Sequence, residues 1–372
     1  MPRIAIENAL VFDGLEISGP KTIILDGSKI SHDSITTGDD TVIDGTGCTL
    51  LPGLFDCHVH VDTPEQLASF AGYGITTVCD MACFPIEKYN KLRSAGGPTA
   101  WLGAGLPAFA QNSTHGKLLK FAGVGADQAV HSEEDAIRFV ADRVGDDVDY
   151  IKIIADLPGI EQEYLNKIQA EAKSKSKMTV AHTAQFEAFV RGLHAGFDIL
   201  THSPMDKPLD KQLIDEMATQ GTVAVPTLTM SENISNSWVM WCIRGKQDFQ
   251  NALDSVAAMH RAGVPILAGT DANNTPVLAV PAGRTLHYEL ELLVRAGLSP
   301  IETLRAATSG PAKYFCLDDR GQVRPGLRAD LVLVQGNPTE DIAATRKIRR
   351  VWSAGEEVPL AAEAESTGCI VM

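Results

Sequence analysis

Short apolar runs alternate with stretches of helical spacing through the middle of this chain, and this alternation limits its possible folds more than any other feature. Runs that are apolar along their whole length suit strands buried on both faces, as in parallel sheets covered by helices. The predicted strands are 54–61, 76–80, 100–106, 150–155, 179–182, 199–202, 223–227 and 265–270. The predicted helices are 133–143, 161–174, 185–195, 207–220, 248–262, 282–296 and 301–314. Eight strands match a closed barrel, so we predict an α/β fold with a (β/α)8 TIM-type barrel over residues 54–319.

The two ends of the chain have a different texture. Short β-branched runs at 4–6, 22–25 and 41–43 are separated by Asp-Gly turns, and similar runs return at 330–334 and 350–353. We therefore predict a small composite β-sandwich domain built from both termini, residues 1–53 and 320–360, followed by a C-terminal tail at 361–372.

Side chains of the kinds that bind metal ions occur at the ends of separate predicted strands, where the active sites of such barrels lie. They are His58, His60, Lys152, His182, His202 and Asp271. His58 and His60 are two residues apart and so point to the same face of a strand, where two imidazoles can share one divalent ion. Any one of these histidines could equally be a core or surface residue. Their coincidence at separate strand ends favours a metal site.

Lys152 is the unusual member, because isoleucines flank it in a strand predicted to be buried. A buried ammonium must lose its proton or find a partner. One route is a carbamate formed with carbon dioxide, which turns the amine into an anionic ligand. The alternative is an ion pair with a carboxylate such as Asp271, and the spacing alone does not choose between them.

Together these residues resemble the amidohydrolase superfamily, in particular its prolidase-like and imidazolonepropionase-like members. The resemblance spans about residues 2 to 355 and rests on motifs in the family order. They are His58-Val-His60, Tyr150-Ile-Lys152, His182, His202, Gly269-Thr-Asp271-Ala272 and the stretches 287–297 and 321–332.

The resemblance implies a metal centre with two zinc or other divalent ions in each subunit of a homo-oligomer. His58, His60 and Asp271 would hold the more buried ion, and His182 and His202 the second. Lys152, modified to N6-carboxylysine, would bridge both. Asp271 would also be catalytic, as the proton shuttle for a metal-bridging hydroxide.

Residues in or near the strand ends are predicted to contact the substrate. They are His115, Tyr150, Trp238, Trp241, Arg244 and His287. His115 could instead be a surface loop residue, and His287 the first turn of a surface helix. Two tryptophans beside Arg244 suit a lid over an aromatic or anionic substrate, or a contact with another subunit.

The composition excludes several classes of protein. The chain has 372 residues and a net charge of −15, and such an acidic surface repels phosphate backbones, so we predict a small-molecule substrate and no nucleic-acid partner. Seven cysteines without close spacing are typical of reduced thiols, which favours a cytoplasmic location. No apolar run approaches a membrane span of about 20 residues.

The last four residues, Cys369-Ile-Val-Met372, fit a prenylation pattern. No basic residue lies in the ten positions before them, and one prenyl chain without a second signal anchors weakly. We therefore predict no membrane attachment.

The leading functional hypothesis is metal-dependent hydrolysis of an amide, lactam or ester bond in a small molecule. A decarboxylase, hydratase or isomerase could use the same metal site, because fold does not fix function. A non-catalytic structural protein is the third alternative, although a scaffold has no need of Lys152 and Asp271.

Overall fold

The computed structural model of the chain describes residues 3–245, 247–276 and 278–361, with only the backbone of residues 243 and 244. The strands of this part are β1 (Ile4–Phe12), β2 (Ile17–Asp26), β3 (Lys29–Ile30), β4 (Thr41–Asp44), β5 (Cys48–Pro52), β6 (Leu54–Val59), β7 (Ile75–Asp80), β8 (Ala100–Gly103), β9 (Ile151–Ile154), β10 (Thr179–His182), β11 (Ile199–Thr201), β12 (Val223–Val225), β13 (Leu331–Gln335), β14 (Ile348–Ser353) and β15 (Glu356–Val358).

The helices are α1 (Pro64–Ser69), α2 (Ile86–Arg93), α3 (Thr114–Phe121), α4 (Glu133–Gly145), α5 (Gln162–Ser174), α6 (Phe186–Ala195), α7 (Lys211–Gln220), α8 (Leu228–Asn236), α9 (Trp238–Arg244), α10 (Phe249–Arg261), α11 (Thr285–Arg295), α12 (Pro300–Ala306) and α13 (Ser309–Tyr314). The single helix predicted at 301–314 is two helices, because Thr308 has φ −138° and ψ −92°, outside the helical region. Within the described residues, no helix combines the length and apolarity needed to cross a bilayer.

Strands from both ends of the chain form one mixed sheet of eight strands. Its order is β15-β14-β13-β5-β1-β2-β3, with β4 paired to β1. β13 pairs antiparallel with β5, so residues near 50 and near 333 are neighbours. Trp352, Leu331 and Leu50 are fully buried in the apolar cluster of this sheet, which fixes the two chain ends to each other.

The middle of the chain supplies two parallel sheets, with the orders β6-β7-β8 and β12-β11-β10-β9. Most of these strands are buried on both faces, as in β9, where every residue is buried, while β8 is only partly buried. A parallel bridge from Ala108 to Ile153 connects the two sheets. The carboxyl ends of all these strands therefore point the same way.

The predicted eighth strand, 265–270, is not a regular strand but an extended segment held by single parallel bridges. These bridges pair Ile266 with Ala224 and Ala272 with Val59. Asp271, just beyond this segment, has φ +60°, outside the β region, and the backbone contacts with β6 continue past it, where the His60 N–H donates to the Ala272 carbonyl at 2.7 Å. Gly269 permits the close approach to β6, since a Cβ there would lie 2.9 Å from the His58 nitrogen. Seven predicted barrel strands thus form two separate sheets, and one continuous closed ladder is not observed among the described residues.

Candidate metal centre

One cavity of about 1010 Å³ opens at the carboxyl ends of the parallel strands. All the residues predicted to bind metal line it, namely His58, His60, Lys152, His182, His202 and Asp271. His115 and Asp156 line it as well. The sequence therefore predicted correctly which strand-end residues meet in one place, while the binding of metal by them stays a prediction.

His58, His60 and Asp271 form the first group of potential ligands. Oδ1 of Asp271 lies 3.5 Å from Nε2 of His58 and 3.1 Å from Nε2 of His60, and one ligand atom from each residue lies within 4.8 Å of the others. The Asp271 N–H donates to the His58 carbonyl at 2.8 Å, which fixes the carboxylate against β6. These atoms are close enough to hold a single divalent ion.

The two histidines of this group differ in their electrostatics. Burial, reinforced by the charge of Lys152, holds the pKa of His58 well below its usual value. Burial would also lower the pKa of His60, but the Asp271 carboxylate outweighs it, so the pKa of His60 is raised. His58 is therefore neutral at pH 7, the form of imidazole that binds metals.

The second group contains His182, Asp156 and His115, whose ligand atoms also lie within 4.8 Å of one another. Nε2 of His182 lies 3.0 Å from Oδ2 of Asp156, and burial of that carboxyl is outweighed by His182, which lowers the pKa of Asp156 to about 2. The predicted partner of His182 was His202, and the two rings are indeed 4.2 Å apart between centroids. Asp156 is a functional candidate that the sequence reading missed, although its place two residues after β9 was a usable signal.

Lys152 lies in β9 and is almost completely buried. Its ammonium donates to the Thr201 hydroxyl at 2.9 Å, and the described residues form no ion pair between Lys152 and Asp271. Burial lowers the pKa of Lys152 to about 7. Lys152 lines the same cavity as both groups, and its charge contributes to lowering the pKa of His58 and of His202.

Nδ1 of His58 and Nε2 of His202, two of the ring nitrogens at this cavity, are buried without a hydrogen-bond partner among the described residues. An unsatisfied buried polar atom is costly, and a ligand or ion at the site is a common explanation. Burial, followed by the charges of His182 and Lys152, holds the pKa of His202 well below its usual value. The donor set of neutral imidazoles and carboxylates therefore fits zinc or a similar divalent ion.

Two buried carboxylates that were not among the predicted site residues join neighbouring segments around the cavity by hydrogen bonds. Asp56 accepts hydrogen bonds from the Thr270 N–H at 3.0 Å and the Thr270 hydroxyl at 2.7 Å, which ties β6 to the segment before Asp271. Glu289 of α11 binds the first turn of α8 in the same manner. Burial raises the pKa of each to about 7. Neither residue could be recognised from sequence, because each meets its partners only through tertiary packing.

Several predicted substrate contacts are placed elsewhere. Tyr150 does not line the cavity, because it is fully buried and its hydroxyl donates to the Asp80 carbonyl at 2.8 Å. His287 does not line it either, since it is buried in α11 with Nε2 3.1 Å from the Tyr73 carbonyl, and burial lowers its pKa to about 4. Both fill the interior because their rings are largely apolar and their polar atoms reach backbone carbonyls.

The proposed tryptophan lid does not cover the cavity. Trp238 and Trp241 lie on α9 with 68% and 44% of their surface exposed, and neither lines the cavity. The Arg244 side chain and the tail that contains Cys369 lie outside the described residues. His115, at the start of α3, is the one predicted substrate contact with a described side chain that lines the cavity.

Comparison with known proteins agrees with this architecture. The chain matches the amidohydrolase family over residues 49–358. An ochratoxinase of Aspergillus niger is 24% identical over 380 residues, which cover 82% of this chain and 75% of that protein. An imidazolonepropionase of Deinococcus deserti is 37% identical over 103 residues, or 26% of this chain and 24% of that protein.

Solved structures share the fold. A Xaa-Pro dipeptidase with methionine bound in its active site superposes with a TM-score of 0.81 and 22% identity, over 96% of this chain and 99% of that one. The A. niger ochratoxinase superposes with a TM-score of 0.79 and 19% identity, over 98% and 99%. Since the family match spans most of the sequence and the strand-end residues meet as its motifs imply, this chain belongs to the amidohydrolase family.

Proposed function

We propose that this protein hydrolyses an amide, lactam or ester bond of a small molecule with the help of two divalent metal ions, preferably zinc. The observation that carries the proposal is the meeting of two groups of potential ligands in one cavity, His58-His60-Asp271 and the group around His182. When bound, divalent ions supply an activated water at neutral pH and polarise a substrate carbonyl.

The proposed ligands of the first ion are His58, His60 and Asp271. The second ion is assigned to His182 and His202, with Lys152 bridging both ions as a carbamate. The pKa of about 7 supports this modification, because a substantial fraction of the amine is then neutral and able to react with carbon dioxide. Asp156 is assigned to orient His182, since an imidazole ligand commonly donates its other N–H to a carboxylate.

Asp271 is the proposed general base and acid. Its backbone is held on both sides, because its N–H donates to the His58 carbonyl and its carbonyl accepts from the Asn273 amide at 2.7 Å, and this places its carboxylate 3.1 Å from Nε2 of His60. A carboxylate fixed in this way can take a proton from the attacking water and return it to the leaving group.

The cavity walls favour a substrate with an apolar body. Beyond the proposed ligands they include apolar side chains such as Phe84, Leu119, Ile154, Met230 and Leu278, interspersed with polar ones such as Gln185 and Asn274. A cavity of this size suits a small molecule, with apolar walls to hold its body and polar groups to orient the reacting bond.

We also propose that residues 54–319 form the barrel, which the parallel bridges Ala108–Ile153, Ala224–Ile266 and Val59–Ala272 support. The composite β-sandwich domain of residues 1–53 and 320–360 and the tail at 361–372 stay predictions. The homo-oligomeric state and the cytoplasmic location stay predictions.

The test combines metal analysis with activity on a panel of N-acyl amino acids, lactams and lactones. We expect about two metal ions per chain in protein purified without chelator, loss of activity on chelation and recovery with zinc and bicarbonate. Asp271→Asn, with its metal content measured, should lower kcat by about 10²- to 10⁴-fold. Asp215→Asn, a surface change on α7, is the matched control.

Product analysis in ¹⁸O-labelled water decides the reaction class. One labelled oxygen in the acid product is expected of a hydrolase. Metal-free protein that turns over at the full rate, or a decarboxylated or isomerised product, would overturn the proposal.

A further inference from the structure

Glu289 is a fully buried carboxylate that lies outside the proposed ligand set. It belongs to α11, and its two oxygens accept three hydrogen bonds from the start of α8. They come from the Leu228 N–H at 2.9 Å, the Thr229 N–H at 2.7 Å and the Thr229 hydroxyl at 2.7 Å. These amides are among those that a helix leaves unpaired at its N-terminus, so Glu289 fixes the first turn of α8.

The residue just before that turn contacts His202. Thr227 has φ +50°, an uncommon conformation for a β-branched residue, so the surrounding structure must hold it in place. Its hydroxyl lies 2.7 Å from Nδ1 of His202. Glu289 is thus linked to His202 through one short segment: it binds the N–H groups of Leu228 and Thr229, and the residue before them, Thr227, contacts His202.

The hydrogen bonds of Thr227 determine the tautomer of His202. The Thr227 hydroxyl donates its one proton to the Pro226 carbonyl at 2.8 Å, so it can only accept from His202. Nδ1 of His202 therefore carries the proton, and Nε2 presents its lone pair. Nε2 is the buried nitrogen that has no hydrogen-bond partner among the described residues.

We propose that Glu289 is a positioning residue, which holds Thr227 so that His202 keeps its Nδ1–H tautomer and presents Nε2 to the metal centre. The tautomer itself does not depend on any metal. Its consequence for metal binding rests on the proposed function.

The first experiment uses the metal-free, full-length protein with ¹⁵N-labelled histidine. Two-bond ¹⁵N–¹H correlations report the tautomer of each ring, and a His202→Asn variant assigns the signal. We expect the Nδ1–H form in the wild type. In Glu289→Gln, which places an amide against N–H donors, and in Thr227→Val, which keeps the β-branched shape, we expect a shift towards the Nε2–H form.

The second experiment measures zinc affinity of the same variants by competition with a chelator. Loss of an outer partner of a metal ligand should weaken binding of one ion by about 10- to 100-fold. Thr229→Val removes only one of the hydrogen bonds to Glu289 and replaces Glu289→Gln in both experiments if that variant does not fold. We expect its effect to be smaller and in the same direction. Glu232→Gln is the control, because Glu232 joins α8 to α11 at the surface through the Tyr288 hydroxyl.

The outcomes separate the two ideas. A His202 that keeps its Nδ1–H form in Glu289→Gln, Thr227→Val and Thr229→Val, with unchanged zinc affinity, would overturn the positioning role. A wild-type protein that has the expected tautomer but binds no zinc would overturn the proposed function and leave the positioning role intact.

Discussion

The inner end of the cavity and its outer walls are built in different ways. The inner end consists of strand-end side chains such as His58, Lys152 and His202, all buried and fixed by hydrogen bonds or backbone contacts. The outer walls come from helices and loops, including Leu118 of α3, which is 61% exposed although it lines the cavity. Side chains on a rigid scaffold can hold reacting groups precisely, whereas exposed wall residues can change without disturbing them.

This contrast implies a division of labour. Changes at the inner end should abolish or strongly reduce catalysis, and changes in the walls should alter KM by small factors.

Lys152→Ala should have the largest effect, because it would remove the proposed carbamate bridge of the proposed two-ion centre. We expect kcat to fall by more than about 100-fold, beyond the loss usual for an outer partner, and metal content to fall with it. Thr201→Val removes the hydrogen-bond partner of Lys152 but keeps the amine, and should cost far less. Recovery of activity in Lys152→Ala on addition of a short carboxylic acid would support a carbamate on Lys152. Near wild-type activity without any addition would exclude a required carbamate.

The lowered pKa of Lys152 adds a pH dependence to metal uptake. Its folded pKa of about 7 lies below the usual value, so the reactive neutral amine predominates above pH 7 and is lost as the pH falls. At a fixed concentration of dissolved carbon dioxide, reconstitution of metal-free protein should therefore improve from about pH 6 to about pH 8. An uptake that does not change over this range would contradict the assignment.

Asp156→Asn should have the next largest effect and decides how the second group works. If Asp156 only orients His182, the affinity of one ion falls by about 10- to 100-fold and Asn partly replaces it. If Asp156 is itself a ligand with His115, that ion is lost and His115→Asn has the same effect. Metal titrations of both variants distinguish the two arrangements. Unchanged metal affinity in both variants would show that neither Asp156 nor His115 takes part in metal binding.

The same contrast explains what could be predicted from the sequence. Strand ends in a parallel sheet are neighbours regardless of loop conformation, so the alternating pattern was enough to predict that His58, His182 and His202 lie together, as they do in the cavity. It failed at 265–270, which forms isolated bridges and not a regular strand, and it gave no sign of the left-handed backbone of Asp271 that follows. A hydrophobic pattern carries no signal for a single residue that leaves the β region.

The walls and the supporting residues were less predictable for a physical reason. Glu289 and His287 lie two residues apart on α11, yet one holds α8 and the other contacts the Tyr73 carbonyl. Which neighbour a helical residue meets depends on how helices pack, and that information is not local in the sequence. Composition alone left the tryptophans of α9 as a lid or as a contact with another subunit, because composition does not fix the direction in which a side chain points.

Ile234→Ala tests the walls and should have a modest effect. Ile234 of α8 is half-buried and lines the cavity, and its truncation removes methyl and methylene groups from contact with an apolar substrate. At about 0.8 kcal/mol per buried methylene, we expect KM to rise by roughly 3- to 10-fold with little change in kcat. Ile137→Ala, on the exposed side of α4, is the matched control. A large fall in kcat for Ile234→Ala would contradict the idea that the walls affect only substrate binding and the inner end catalysis.

Trp238→Ala and Trp241→Ala should have the smallest effect. The Trp241 indole donates to the Ser235 carbonyl at 2.7 Å, so its ring is tied to the end of α8 and not to the cavity. Trp238 is mostly exposed, and surface changes of this kind usually stay within about 0.5 kcal/mol, or about twofold in kcat/KM. Steady-state kinetics on an aromatic and an aliphatic substrate check this. A KM that rises by more than about tenfold for the aromatic substrate alone would restore the lid and show that part of the wall closes only when substrate binds.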